Sequence, residues 1–472
     1  MEWTSDGPDR ERLNEPSVPF IPPSPDHEPI PPKPWQVFRT PGFPRLFSAQ
    51  IISSIGDWTG FFAILALAAN VSNNAVGFVM TARMLPGLLL APFFGPLIDR
   101  WNRKVVMVSC DLGRAALLAV LPFWANVWGL VVISFAIEIL TLMWGPAKDA
   151  SVPNVVRDPD QLPAANSLGL VAAFGMFPVG AILFGVLAAV STFLGNFHQL
   201  NVLHPDHSSV AIWVDGLTFV GSAILISGLA LRNGQPVPKG AANRGLAGTW
   251  RDAVEGLSFI RSNALVRGVM IGLAGGLIGG GSIVPLGAIY SRDVLNGTAS
   301  GFAFLTAALG IGAGIGVVTL LWLQSRLPRA ALFTAAVTAT GVAIILVACV
   351  STFALAILSV AFIGACAGCA YVTGFTLLQE SVSDEMRGRT FATLYTVVRL
   401  CLLLSLTIGP FVSAALGAIS NSATHGEITI GNASLSLPGV RLALWLGGVI
   451  TIISGIAARR RMRMAKAQAA AA

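Results

Sequence analysis

Gly95-Pro96-Leu97-Ile98-Asp99-Arg100-Trp101-Asn102-Arg103-Lys104 lies at the junction of two apolar runs, 76–98 and 105–125. An acid and three cations confined between such runs mark a short polar turn at a membrane face. Working outward, apolar runs of similar length recur along the chain. They predict twelve spans: 43–70, 76–98, 105–125, 127–148, 164–195, 211–231, 264–290, 297–323, 330–350, 353–378, 390–419 and 438–457. Composition agrees, with 54% hydrophobic and 11% charged residues against about 25% charged in an average soluble domain. The mean hydropathy is +0.72. A soluble enzyme of 472 residues would have no interior large enough for these side chains. The expected fold is therefore an all-α membrane protein.

Twenty-five of the 30 Lys and Arg residues fall in the termini and the loops on one predicted side of the membrane. The positive-inside bias makes that side cytoplasmic and places both termini there. It also accounts for the basic pI of 9.5 without nucleic acid as a partner. Residues 1–42 are rich in Pro and acidic residues and are expected to be a disordered cytoplasmic tail. Residues 43–231 and 264–457 each supply six spans. Between them, 232–263 carries Trp250, Val254, Leu257 and Ile260 as the apolar stripe of a surface helix. Residues 458–472 form a basic tail. Sliding the chain by 226 residues lays Arg100 and Arg103 on Arg326 and Arg329, and residues 157–168 on 383–394. The same offset pairs loops 195–210 and 421–436, so the halves are a parallel repeat with pseudo-symmetry.

The Gly95–Lys104 loop resembles the signature loop of the major facilitator superfamily. The opening PGFPRLFSAQIISSIGDW, TARMLP in span 2, DPDQLPAANSL before span 5 and MRGRTFA before span 11 are similar to its drug and siderophore exporters. That branch includes the macrolide-efflux and enterobactin-export proteins, and the resemblance covers about residues 41–457. It implies the major facilitator fold and alternating access. It also implies a gating role for Gly95, Asp99, Arg100, Arg103 and Lys104, with Arg387 and Arg389 in the matching loop of the second half. Asn102 stands where the family has Gly, a tolerable substitute because Asn also accepts left-handed backbone geometry. In the second copy the Asp is replaced by Ser325. Phe177-Pro178-Val179-Gly180 is a degenerate form of the exporter Gly-Pro turn, and Gly409-Pro410 in span 11 is a cleaner pair.

Ionisable groups within a span cost at least ~2.5–3.5 kcal/mol each, so each needs a reason to be there. At about 1.5 Å per residue, Asp57 lies roughly 20 Å from the inner end of span 1 and Glu138 roughly 16 Å from the outer end of span 4. Both are candidates for proton coupling or cation binding, with Arg83 on span 2 as their partner; a fixed ion pair that orders the bundle is the competing reading. Asp111 and Arg114, three apart on span 3, are expected to extend the gating network. Asp215 and Arg441, near the outer ends of spans 6 and 12, are expected to be peripheral and to reach water.

Phe61, Met84, Trp144, Phe174, Tyr371, Phe375, Tyr395 and Arg399 are the candidate cavity residues. Aromatic and Met-rich walls suit amphipathic, drug-like or siderophore-like small molecules. Packing against lipid or between helices is the alternative for each. Cys366-x-x-Cys369 lies among small apolar residues and is read as packing, and His198, His204 and His207 as a solvated loop. No metal site, cofactor, nucleotide loop or catalytic constellation is expected, so the chain is read as no enzyme. The combined expectation is a proton-coupled exporter, monomeric, in the cytoplasmic membrane. An importer, a narrow-substrate metabolite transporter and a membrane scaffold or sensor remain alternatives.

Overall fold

The structure is a computed structural model that describes residues 34–90, 101–156, 158–194, 208–229, 263–324, 326–382, 384–424, 427–430 and 433–471. The Pro-rich tail before residue 34, the surface helix expected in 232–263 and the three loop histidines lie outside these residues. So do Gly95, Asp99 and Arg100.

The first half comprises α1 (Phe43–Val71), α2 (Asn73–Leu89), α3 (Arg103–Val120), α4 (Val127–Val155), α5 (Leu162–Phe174), α6 (Phe177–Leu194) and α7 (Ser209–Ser227). The second comprises α8 (Ala264–Gly280), α9 (Ile283–Asp293), α10 (Ala299–Leu323), α11 (Arg329–Cys349), α12 (Phe353–Ser381), α13 (Asp384–Thr424) and α14 (Gly439–Ala471). Eleven helical stretches among the described residues are long and apolar enough to cross a membrane, counting α5–α6 and α8–α9 as one each. The described part of α2 has 17 residues and packs against α4 and α13, completing twelve spans.

Helix starts follow from the loop chemistry. Side chains of Ser72, Asn126 and Asn263 accept from the first-turn backbone N–H groups of α2, α4 and α8. Asn102 does the same for α3, accepting from Lys104 N at 3.1 Å and Val105 N at 3.4 Å. Its backbone is extended, φ −68° and ψ 109°, so the position does not call for left-handed geometry. A side chain that can cap makes Asn useful here without a positive φ.

Two spans are broken. Between α5 and α6 the carbonyl of Ala173 accepts from the Trp58 indole Nε1 at 2.9 Å. Between α8 and α9 the carbonyl of Ile278 accepts from Ser405 Oγ at 2.8 Å. A neighbouring span thus takes up the backbone group that each break frees, which hydrocarbon requires. The last helix runs beyond the expected end of its span to Ala471, through the Arg- and Ala-rich segment that favours helix. One feature is not helical. β1 (Glu427–Ile430) and β2 (Ala433–Ser436) pair antiparallel, Ile428 opposite Leu435, in the loop expected to be merely polar.

The packing defines two faces. The terminal face carries the starts of α1 and α8 and the ends of α7 and α14; the far face carries the turns α1–α2 and α11–α12. At the far face one buried core spans both halves, with Phe62 and Phe184 meeting Phe302 at ring-centroid distances of 6.1 and 6.2 Å. Phe78 meets Phe411 at 5.1 Å, and Arg292 donates to Asn73 at 2.5 Å. Toward the terminal face the buried cores are separate. Phe43, Met107, Trp144 and Ile226 belong to one in the first half, and Val266, Phe333, Leu378 and Met462 to one in the second. The halves are joined α6 to α10, α2 to α13 and α1 to α9. The far face is closed, and no buried cluster of described residues bridges the halves toward the terminal face.

Candidate functional site

The sequence at mid-depth of α1 reads Gly56-Asp57-Trp58-Thr59-Gly60. The two glycines put a shallow groove on one side of the helix, and α7 packs into it. Asp57 projects from the same turn. Its carboxylate Oδ1 is 3.6 Å from Nη1 of Arg114 on α3, and its side chain is 32% exposed.

Arg114 is the centre of the cluster and is 1% exposed. Its Nη2 donates to Asp111 Oδ1, one turn earlier on α3. The other Asp111 oxygen accepts from Ser222 Oγ of α7 at 2.8 Å. The Arg114 guanidinium also lies 3.9 Å from the Phe219 ring centroid and 5.5 Å from that of Trp144. Opposite charge, a hydroxyl and aromatic faces together make a buried cation tolerable. α1, α3, α4 and α7 are held around one guanidinium.

A second cation is less deeply buried. Arg83 of α2 is half-buried, 5.1 Å from the Phe61 ring centroid. Its charge acts on Glu138 of α4 more strongly than any other cation does, and on Asp57 after Arg114. Glu138 is half-buried and close enough to Asp57 for the two carboxylates to act on one another.

Asp57, Glu138 and Arg83 therefore come together in one region. Asp111 and Arg114 join them through Asp57. Arg103 and Lys104 are turned elsewhere: Arg103 donates to Ala150 O of α4 at 2.7 Å and Lys104 to Leu229 O beyond α7 at 3.0 Å. Both bonds stay within the first half, and cations there suit the negative ends of those helices. Side chains of Arg387, Arg389, Phe174 and Tyr395 lie outside the described residues.

Phe61 and Met84 are half-buried beside the charged groups, while Tyr371 and Phe375 of α12 pack together at 5.0 Å with Tyr371 exposed. Arg399 of α13 is exposed. Trp144, at 7% exposure, is buried with its ring 5.5 Å from the Arg114 guanidinium. Glu380 at the end of α12 pairs with Arg329 of the same half.

Two expectations are overturned. Asp215 is 3% exposed, pressed against the α1 glycines, with Oδ1 lacking a hydrogen-bond partner. Arg441 is 1% exposed; its Nη2 donates to Ser351 Oγ at 2.6 Å and to Val350 O at 3.5 Å. Both residues were placed by depth alone. Depth says nothing about which side of a helix meets a neighbour, and the spacing of Gly56 and Gly60 was the signal available for Asp215.

Paired bundles closed at one face, with charged residues at mid-depth beside the parting line, define a polytopic membrane transporter. The profile of the Major Facilitator Superfamily matches residues 46–405, and the chain belongs to that family. Among relatives, macrolide efflux protein A of Streptococcus pyogenes is 23% identical over 389 residues, covering 79% of this chain and 90% of that protein. The uncharacterized MFS-type transporter YfiS of Bacillus subtilis is 30% identical over 120 residues, 25% of this chain and 29% of YfiS. Among solved structures, a bacterial homolog of the human lysosomal transporter Spinster, inward-facing and unoccupied, superposes with a TM-score of 0.67 at 16% identity. That match covers 90% of this chain and 97% of the other, and shows the fold.

Proposed function

We propose that this transporter is a proton-coupled exporter, an antiporter, of amphipathic drug-like or siderophore-like molecules, acting as a monomer in the cytoplasmic membrane. The observation that carries the reading is the Asp57–Arg114 ion pair at mid-depth, 3.6 Å, with the half-buried Glu138 and Arg83 on the neighbouring spans. The cluster lies where the halves cease to share a core. A carboxylate there can exchange a proton with water on the open side, and a movable cation can set when it lets go. Phe61, Met84, Tyr371 and Phe375 supply the apolar surface for cargo.

The terminal face is the cytoplasmic one on the distribution of Lys and Arg, which makes this conformation inward-open. Residues 43–231 and 264–457 are the moving halves, 232–263 the cytoplasmic connector, and 1–42 and 458–472 cytoplasmic tails. The gating role of Gly95, Asp99, Arg100, Arg103 and Lys104, with Arg387 and Arg389, is exerted when the terminal faces meet. Export, rather than import, takes its support from the name of the macrolide efflux relative.

The test is accumulation of a fluorescent amphipathic dye in cells expressing the wild type, Asp57→Asn or Glu138→Gln, with and without a protonophore. Export predicts low accumulation that rises with protonophore and in both variants. Unchanged accumulation, with folded protein at the membrane, rejects broad dye export; higher accumulation in wild-type cells indicates import.

A further inference from the structure

We propose that Asp215 on α7 is a second proton-binding carboxylate, which holds a proton in this conformation behind the Asp57 site. The role assigned to that proton rests on the coupling reading above; its presence does not.

The geometry is specific. A Cβ on Gly60 would lie 1.9 Å from Asp215 Oδ2, and one on Gly56 would lie 2.6 Å from Oδ1. The carboxyl group therefore sits flat on the bare backbone of α1, between two glycines one turn apart. Only glycine leaves room for it there. Asp215 is 3% exposed, and Oδ1 has no hydrogen-bond partner. An ionised carboxylate in such a place carries a desolvation cost of several kcal/mol with no ion pair of its own among the described residues to offset it, whereas a protonated one carries only that of a polar group.

Neighbouring charges point the same way. Arg114, the buried cation of the cluster, is already engaged by Asp111 and Asp57. Arg83 is half-buried on α2, and its charge is shared with Glu138 and Asp57. The groups facing Asp215 are thus Asp57 from α1, Arg114 from α3, Arg83 from α2 and the Thr218 hydroxyl from its own helix. Four mid-span acids stand against two cations. Neutralising Asp215 leaves a cluster whose remaining charges are nearer balance.

Asp57 lies beside Gly56 and is one-third exposed, so it is the route by which a proton reaches the buried site. The transfer moves one proton from the Asp57 carboxyl to an Asp215 oxygen. Asp57 becomes the anion facing Arg114, and Asp215 becomes neutral. This site lets the protein keep a proton after Asp57 has released its own.

The test is difference infrared spectroscopy of the purified full-length protein in lipid nanodiscs at neutral pH. The expected result is a protonated-carboxyl C=O band in the wild type that is lost in Asp215→Asn and kept in Glu138→Gln. Asp57→Asn should keep the band and slow its shift on transfer to heavy water several-fold. A wild-type spectrum without such a band overturns the proposal with no variant needed, as does a band that survives in folded Asp215→Asn. An unchanged exchange rate in Asp57→Asn overturns the route. None of these readings depends on cargo, so a failure of dye export leaves them intact and is distinguishable from them.

Discussion

Arg114 and Asp57 lie on different spans, 3.6 Å apart, the guanidinium fully buried and the carboxylate one-third exposed. The asymmetry assigns them different work. Arg114 is fixed by Asp111, Phe219 and Trp144 and serves as the anchor of the first half. Asp57 has the same cation on one side and space on the other, so its proton occupancy can change without dismantling the core.

Arg114→Met is expected to destabilise the protein by about 3–5 kcal/mol, because it leaves Asp111 as a buried charge without its partner. Asp57→Asn is expected to lower stability by less than about 1 kcal/mol. Adding Asp111→Asn to Arg114→Met should recover part of the loss. Thermal unfolding of purified protein in detergent, compared across the three variants, checks the order.

Gly60→Ala is expected to cost about 1–3 kcal/mol, since its methyl group would meet the Asp215 carboxyl. Gly145→Ala, on α4 with open space around the added atom, is the matched control and should be neutral or slightly stabilising. Midpoints of thermal unfolding separate the two.

A Trp58→Phe substitution keeps the ring packing with Phe62 and Phe177 but removes the N–H that serves Ala173 O. Ser405→Ala does the same to Ile278 O at the other break. Each should lower stability by about 1–3 kcal/mol, the cost of an unpaired buried carbonyl. The same unfolding assay checks it, and equal effects in the two halves would show that the breaks are equivalently supported.

Closure of the far face can be locked. The Cβ position of Gly185 on α6 lies 2.9 Å from Ala303 Cβ on α10, across the two halves, so the helices must part by about 1 Å to seat a disulfide there. In a background lacking the native thiols, oxidised Gly185→Cys/Ala303→Cys should abolish transport by holding the far face shut. Reduction should restore it. Transport unaffected by a confirmed crosslink would mean that this contact does not open.

The spans were legible because hydrocarbon imposes one rule on every one of them, a helix with an apolar surface, and α1, α11 and α12 begin and end close to the expected residues. The breaks were less so. Pro178 marked a bend in span 5, but the break between α8 and α9 was signalled only by Gly279-Gly280-Gly281-Ser282. Glu427-Ile-Thr-Ile430 and Ala433-Ser-Leu-Ser436, two residues apart across Gly431-Asn432, carried a hairpin pattern that went unused. At the site, mid-depth identified Asp57 and Glu138 as residues that need a reason. It did not bring Arg114 to Asp57 or bury Asp215, because those follow from which face of α7 meets the glycines of α1. That relation is set by packing between distant segments.

The 226-residue repeat offset carries Asp57, Asp111 and Arg114 onto Ile283, Val337 and Thr340, so the acid–cation cluster has no counterpart in the second half. A voltage across the bilayer does work only on charge, about 2.3 kcal/mol per unit charge moved through 100 mV. At these three positions, therefore, the electrical force falls on the first half alone. The second half, uncharged at those positions, gives the field nothing to act on there.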